Sequence, residues 1–200
     1  AAALATVALA GRGTGLAEVL DHLGVAEDRP FIGGGYYHPG NWRKRLSFGT
    51  GTFGDMGCHI LDPVFNSLGV AHAKSITSVG GKPNETNWGL NAQVEYVFPG
   101  SEFTAEEVKV TWYDGTNRPP EEVRKGIQGK LSDQGSIYIG SKGVLYSPYI
   151  AAPVIIGADG KPAMETGDNH YLQYVEAVRG NGKTTAPFSY AGPLTEMVLL

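Results

Sequence analysis

The chain has a single cysteine, Cys58, in 200 residues. That excludes an internal disulfide and a thiolate zinc cage. Charge is scarce as well. Asp, Glu, Lys and Arg make up 18% of the chain and the formal net charge is −4, whereas ordinary domains carry roughly 25% charged residues. Lys and Arg form no long run, so the basic footprint of a nucleic-acid binder is missing. No apolar run approaches the ~20 residues that span a bilayer. Glycine, by contrast, is abundant: 29 residues without a Gly-X-Y period. That excludes collagen and implies many tight turns. The hydrophobic share of 42% suffices for a packed core in one domain, or one and a half.

Along the chain, residues 1–22 form an unassigned Ala/Gly-rich leader. The opening AAALATVALA reads equally as a short buried helix or strand and as the apolar region of an export signal ending at Ala8-Leu9-Ala10. The export reading leans localisation toward the periplasm or beyond. GRGTGL at 11–16 has the flavour of a dinucleotide-binding turn, but the third glycine of G-x-G-x-x-G falls on Leu16, and no ribose-binding acid follows on a second strand. Residues 25–52 are loop-rich, with three consecutive glycines and several aromatics, as in a segment lying over a site. A helix is expected over 53–69, with Cys58, Leu61, Phe65 and Leu68 as its core stripe, Gly69 as C-cap, and a kink or break near Ile60 caused by Pro63.

Strand patterns follow at 75–81, 92–98 and 107–114, then a hairpin over 136–147 around Gly140-Ser141-Lys142-Gly143. A short helix is expected at 119–127. Another, capped by Asp168 or Asn169, should run to Gly180 with Tyr171, Val175 and Val178 as its apolar face. YAGPLTEMVLL begins a last helix that stops without a cap. Strands in sequence, flanked by helices and without βαβα alternation, predict an α+β fold: a mostly antiparallel open sheet with helices packed on one face.

The densest chemical constellation is GTGTFGDMGCHILD at 49–62. Asp55, His59 and Asp62 stand at i, i+4 and i+7, opposite the apolar stripe. On a helix, Asp55 and His59 lie about 5–6 Å apart. A carboxylate there can hold an imidazole's tautomer and suit it to general acid–base work. Gly49, Gly51, Gly54 and Gly57 leave room for a substrate or cofactor to approach the backbone. The competing reading is a solvated polar face. A metal site at Asp55, His59 and Asp62, with His38, is weaker, because no established ligand frame is present. Trp42, Arg43 and Arg45 follow His38 in the loop and suit a carboxylate or a sugar face, or else anchor the loop. Asp114 ends a strand, where it either reaches a site or caps the turn. Cys58 reads as a small core residue.

YYHPGNWRKRLSFGTGTFGDMGCHILDPVF (36–65) resembles the C-terminal domain of the Gfo/Idh/MocA family of nicotinamide-dependent sugar and polyol oxidoreductases, in its bacterial, often exported branch. There a Gly-rich turn leads a helix carrying Asp-x-x-x-His, which Asp55 and His59 match. Further similarity lies in LGVAEDRPF, VKVTWYDG, HYLQYVEAVRG and FSYAGPLTEMVLL, so the resemblance covers roughly 23–200, with the family's closing elements cut short after Leu200. It implies a substrate-binding and oligomerising domain acting on a sugar or polyol hydroxyl. His59 would be the proton acceptor, Asp55 its partner, and His38, Trp42, Arg43, Arg45 and Asp114 candidate substrate contacts. Family members place a Rossmann domain and a Glu-Lys-Pro motif ahead of this domain. These residues contain neither that domain nor that motif, so NAD or NADP belongs to the full-length family member and no cofactor is expected for this chain alone. The alternatives are a non-catalytic carbohydrate-binding or dimerisation module, and an NAD-dependent glycosidase domain. Expected partners are a sugar or polyol and a second copy joined through the sheet, without nucleic acid or membrane.

Overall fold

A computed structural model describes residues 5–11, 41–47, 49–157 and 169–200. The chain is α+β. Its elements are β1 (Ala5–Gly11), a 3-10 turn (Asn41–Lys44), α1 (Gly51–Leu68), β2 (Ser75–Gly80), β3 (Gln93–Pro99), β4 (Glu107–Asp114), α2 (Glu121–Arg124), β5 (Gly135–Gly140), β6 (Gly143–Pro148), β7 (Val154–Ile156), α3 (His170–Val178) and α4 (Phe188–Leu199).

The strands pair in the order β2-β3-β4-β1-β5-β6-β7. Two antiparallel halves, β2-β3-β4 and β1-β5-β6-β7, meet at a parallel pairing of β1 with β4 that runs from Ala5 opposite Val108 to Gly11 opposite Asp114. Residues 5–11, unassigned in the sequence, thus supply the middle strand. The β5–β6 hairpin closes at Gly140 opposite Gly143, as its turn residues predict.

Period-2 alternation sets the sheet's two faces. From β3 and β4, Tyr96, Phe98, Val108, Val110 and Trp112 point inward and are buried, while Glu95, Lys109 and Glu107 are exposed. Against that inner face lie Ile60, Leu61, Val64 and Phe65 of α1 and Leu194, Met197 and Val198 of α4. Phe65 meets Phe98 edge-on with ring centroids 5.5 Å apart. The Tyr96 hydroxyl donates to the Met197 carbonyl at 2.7 Å. Both helices therefore cover one face, as the sequence predicts. The other face has its own small cluster, Tyr113 and Ile137, covered among the described residues by Val123, Ile127 and Leu131 of the β4–β5 connection.

Four local expectations change. The α1 helix runs unbroken through Pro63. Pro63 removes only the N–H that would reach the His59 carbonyl, and the buried residues on both sides of it hold the axis. The core stripe is also rotated from the expected one: Gly57, Ile60, Leu61, Val64 and Phe65 are buried and Cys58 is half-buried. Gly69 ends the helix at φ 61°, the left-handed C-cap that glycine supplies. The 119–127 helix shrinks to Glu121–Arg124, because Lys125 is extended and Gly126 takes φ 89°.

The fourth change concerns α3. Asn169 caps it, its side-chain oxygen accepting from the Leu172 N–H at 3.0 Å; Asp168 lies outside the described residues. Its expected core face is exposed instead: Tyr171 is 80% accessible and Val178 71%, and no residue of the helix is buried. Among the described residues, no helix is long and apolar enough to cross a membrane.

Candidate functional site

The polar flank of α1 carries the candidate residues, and the 41–49 segment lies against its N-terminal end. That segment is sewn to residues 84–88 by backbone hydrogen bonds: Leu46 N–H to Thr86 O at 3.0 Å, Trp88 N–H to Lys44 O at 2.8 Å, and an Arg45–Asn87 bridge. The Trp88 indole N–H adds a bond to the Gly49 carbonyl at 2.7 Å. The seam sets where Arg43 stands. Its Nε lies 2.9 Å from Asp55 Oδ2. Asp55 is therefore held by a guanidinium, and among the described residues no hydrogen bond joins it to His59. Orientation of the imidazole by Asp55, as expected from the i,i+4 spacing, is not the arrangement found.

His59 is exposed one turn further along α1. Its ring meets Tyr149 edge-on, with centroids 6.3 Å apart. Tyr149 follows β6, is 41% accessible, and is fixed by its N–H donating to the Gln134 carbonyl at 3.1 Å. One turn beyond His59, Asp62 accepts the Tyr190 hydroxyl at 2.7 Å, which ties α4 to α1. Burial, then the Asp62 carboxylate, push the Tyr190 hydroxyl well above its ordinary range. Cys58 points its thiol at the Asp55 carbonyl, 3.8 Å away. Burial raises its pKa, so it is a poor thiolate.

The remaining candidates sit elsewhere. His38 lies outside the described residues, and of Trp42 only the backbone, in the 3-10 turn, is described. Arg45 is 9% exposed, within the seam rather than over a cleft. Asp114 is buried. It accepts the Ala92 N–H and, at 3.0 Å, the Trp112 indole N–H, while the Asn117 N–H closes the following turn on its carbonyl. Burial raises its carboxyl pKa, countered by those two donors. It clasps a turn, the alternative left open by its place at a strand end. It also lines a cavity of about 340 Å³ with Thr50, Trp88 and Val198, a group separate from the Arg43–Asp55 pair. Among the described residues no three His, Cys, Asp or Glu side chains come together to hold a metal.

The glycines around α1 serve packing. A Cβ on Gly51, which has φ 72°, would come within 2.9 Å of Trp88 Cβ, and one on Gly57 would meet Val198 at 3.0 Å. Gly49, Gly51 and Gly54 stand at G-x-G-x-x-G spacing, a pattern the sequence reading missed. It follows a 3-10 turn rather than a strand, and Trp88 covers its backbone. The described residues therefore do not fit a dinucleotide cradle.

Two side chains that meet this flank escaped sequence reasoning, Tyr149 and Tyr190. Each is 90 or more residues from the side chain it touches, and no spacing rule links them. Together Arg43, Asp55, His59 and Tyr149 offer an ion pair, an accessible imidazole and an aromatic ring on one flank. That combination can bind hydroxyl groups and accept a proton. No family model matches the chain, and a search of curated proteins finds no match.

Proposed function

We propose that this chain is the substrate-binding domain of an oxidoreductase acting on a sugar or polyol hydroxyl. The observation that carries the reading is the accessible His59 between the Arg43–Asp55 pair and the Tyr149 ring. Sugars present both hydroxyls and apolar C–H faces. The ion pair supplies donors and acceptors for the former, and the tyrosine ring a surface for the latter.

In this reading His59 takes the proton of the reacting hydroxyl, and Asp55, anchored by Arg43, bonds a neighbouring hydroxyl. Hydride acceptance belongs to a nicotinamide carried on a separate Rossmann unit, and the chain's own work is to bind, orient and deprotonate. A second copy joined through the exposed half of the sheet completes the proposal, since C2 pairing is the commonest closed arrangement.

The test is an NMR titration of the chain with hexoses and polyols. The His59 and Tyr149 ring resonances should shift together, and Tyr149→Ala should abolish binding without disturbing the sheet. Polyhydroxylated ligands that leave both rings unmoved would overturn the reading. In a polypeptide that also carries the Rossmann unit, His59→Ala should lower kcat by about 10²–10⁴, the usual size of general acid–base catalysis. Near-normal turnover would move the proton to another group. Calorimetric titration of the chain alone with NAD or NADP should give no saturable heat.

A further inference from the structure

Asn181 is the one asparagine of the chain that is followed by glycine. The pair lies just past α3, outside any helix or strand, and both residues are exposed. Asn181 closes the end of the helix. Its N–H donates to the Glu176 carbonyl at 2.9 Å and the Gly180 N–H to the Ala177 carbonyl at 3.1 Å, with Gly180 at φ 82°. These are the paired bonds and the left-handed glycine of a helix C-cap. The Asn181 side chain is held as well. Its Nδ2 donates to Glu176 Oε2 at 2.7 Å, while Arg179 Nη1 donates to Oε1 at 3.0 Å.

Gly182 is the contrast. Its N–H makes no hydrogen bond among the described residues, and a Cβ built on it would meet nothing within 4 Å. An unbonded backbone nitrogen, with no side chain of its own to shield it, thus stands next in the chain to a primary amide. Attack of that nitrogen on the side-chain carbonyl is intramolecular and needs no partner to be brought in.

We propose that Asn181-Gly182 is a self-modification site whose conversion unlatches α3. The Gly182 nitrogen bonds to Asn181 Cγ and loses its proton, the Cγ–Nδ2 bond breaks, and ammonia leaves with that proton. Water then opens the cyclic imide. Cleavage at the Asn181 backbone carbonyl leaves isoaspartate, with the main chain running through Cβ; cleavage at Cγ leaves aspartate. One water is consumed and one ammonia released, without oxidation or reduction. Either product carries a carboxylate where Nδ2 donated to Glu176, so a hydrogen bond becomes a like-charge contact. The α3 helix has nine residues and none of them is buried. Its order therefore rests on its ends, since helices shorter than ~12–15 residues are marginal in water by themselves. The step uses no residue of the α1 flank and is independent of the function proposed there.

For the experiment, the full chain is kept in warm, mildly alkaline buffer. It is followed by peptide mass spectrometry, by methyl transfer with an isoaspartyl methyltransferase, and by amide exchange in ¹H–¹⁵N spectra. Acid should accumulate at 181 ahead of every other asparagine, with isoaspartate methylated there. Gly182→Ala, which has open space for its methyl group, should all but stop the conversion by crowding the nucleophile. Asn181→Asp should reproduce the effect on the helix: exchange of the 176–181 amides should be about fivefold faster, the size of one net hydrogen bond. An amide at 181 that converts no faster than the chain's other asparagines, or equal conversion in Gly182→Ala, overturns the site. Unchanged exchange at 176–181 in Asn181→Asp overturns the unlatching.

Discussion

Helices α1 and α3 look alike on paper. Each carries an apolar stripe at helical spacing, each is preceded by a small polar residue, and each ends at or near a left-handed glycine, Gly69 and Gly180. In the fold they part company. The α1 helix buries six residues, including Ile60, Leu61, Val64 and Phe65, against β3, β4 and α4, whereas α3 buries none. Spacing says which side of a helix can be buried. It does not say whether anything lies opposite. The α1 helix has a partner surface because β3 and β4 turn five large side chains toward it, and because Gly57 lets Val198 of α4 come close. Nothing comparable among the described residues faces α3.

That contrast can be broken or sharpened by measurement. The largest effect is expected from Phe65→Ala, which removes a ring packed at 5.5 Å on Phe98. Urea unfolding should show a loss of about 3–5 kcal/mol. A loss below about 1 kcal/mol would mean that the α1 core is not packed as described. Next comes Gly51→Ala, where a left-handed backbone and the Trp88 contact combine. Strain and overpacking together predict about 2–3 kcal/mol, read as a lower urea midpoint. A neutral Gly51→Ala would show that the seam against Trp88 gives way freely.

The third prediction concerns pH. Burial raises the hydroxyl pKa of Tyr96, Tyr113 and Tyr138, and burial with Asp62 raises that of Tyr190. A folded-state pKa above the unfolded value near 10 favours the neutral form in the native chain. Stability from these groups is present in full below about pH 10 and is lost as pH rises from there toward the folded values. Tyr96→Phe should flatten that alkaline decline. At neutral pH it should cost about 1 kcal/mol, for the lost bond to the Met197 carbonyl. An alkaline limb equally steep in Tyr96→Phe would assign the decline to other groups. The smallest effect is expected on the other side of the comparison. Tyr171→Ala on α3 should change stability by no more than about 0.5 kcal/mol. A loss as large as that of Phe65→Ala would mean that α3 has a partner in solution.

Much of the fold was legible because its signals are local. Alternation in EVKVTWYD and QVEYVF, the two-residue turn at Ser141-Lys142 and the glycine after Leu68 each act over a few residues. Pro63 misled for the opposite reason: a proline's local cost was outweighed by packing on both of its sides. The candidate site was legible only along α1. Asp55 and His59 share a helix, so their spacing placed both on one flank. The spacing also suggested a partnership that the Arg43 guanidinium takes over, and Arg43 reaches Asp55 only because residues 84–88 hold the 41–49 segment in place.

What the sequence determines by itself is what short-range chemistry decides: the class of fold, the strand faces, the glycine cap of α1, and the row of polar side chains on that helix. Tertiary structure alone decides which of these surfaces meet. It inserts β1 between β4 and β5, sets the Tyr149 ring against His59, closes the Tyr190 hydroxyl on Asp62, and leaves α3 without a buried residue. The reason is that such contacts join residues far apart in the chain. Their free energy depends on how several elements pack at once, and no window of neighbouring residues contains that information.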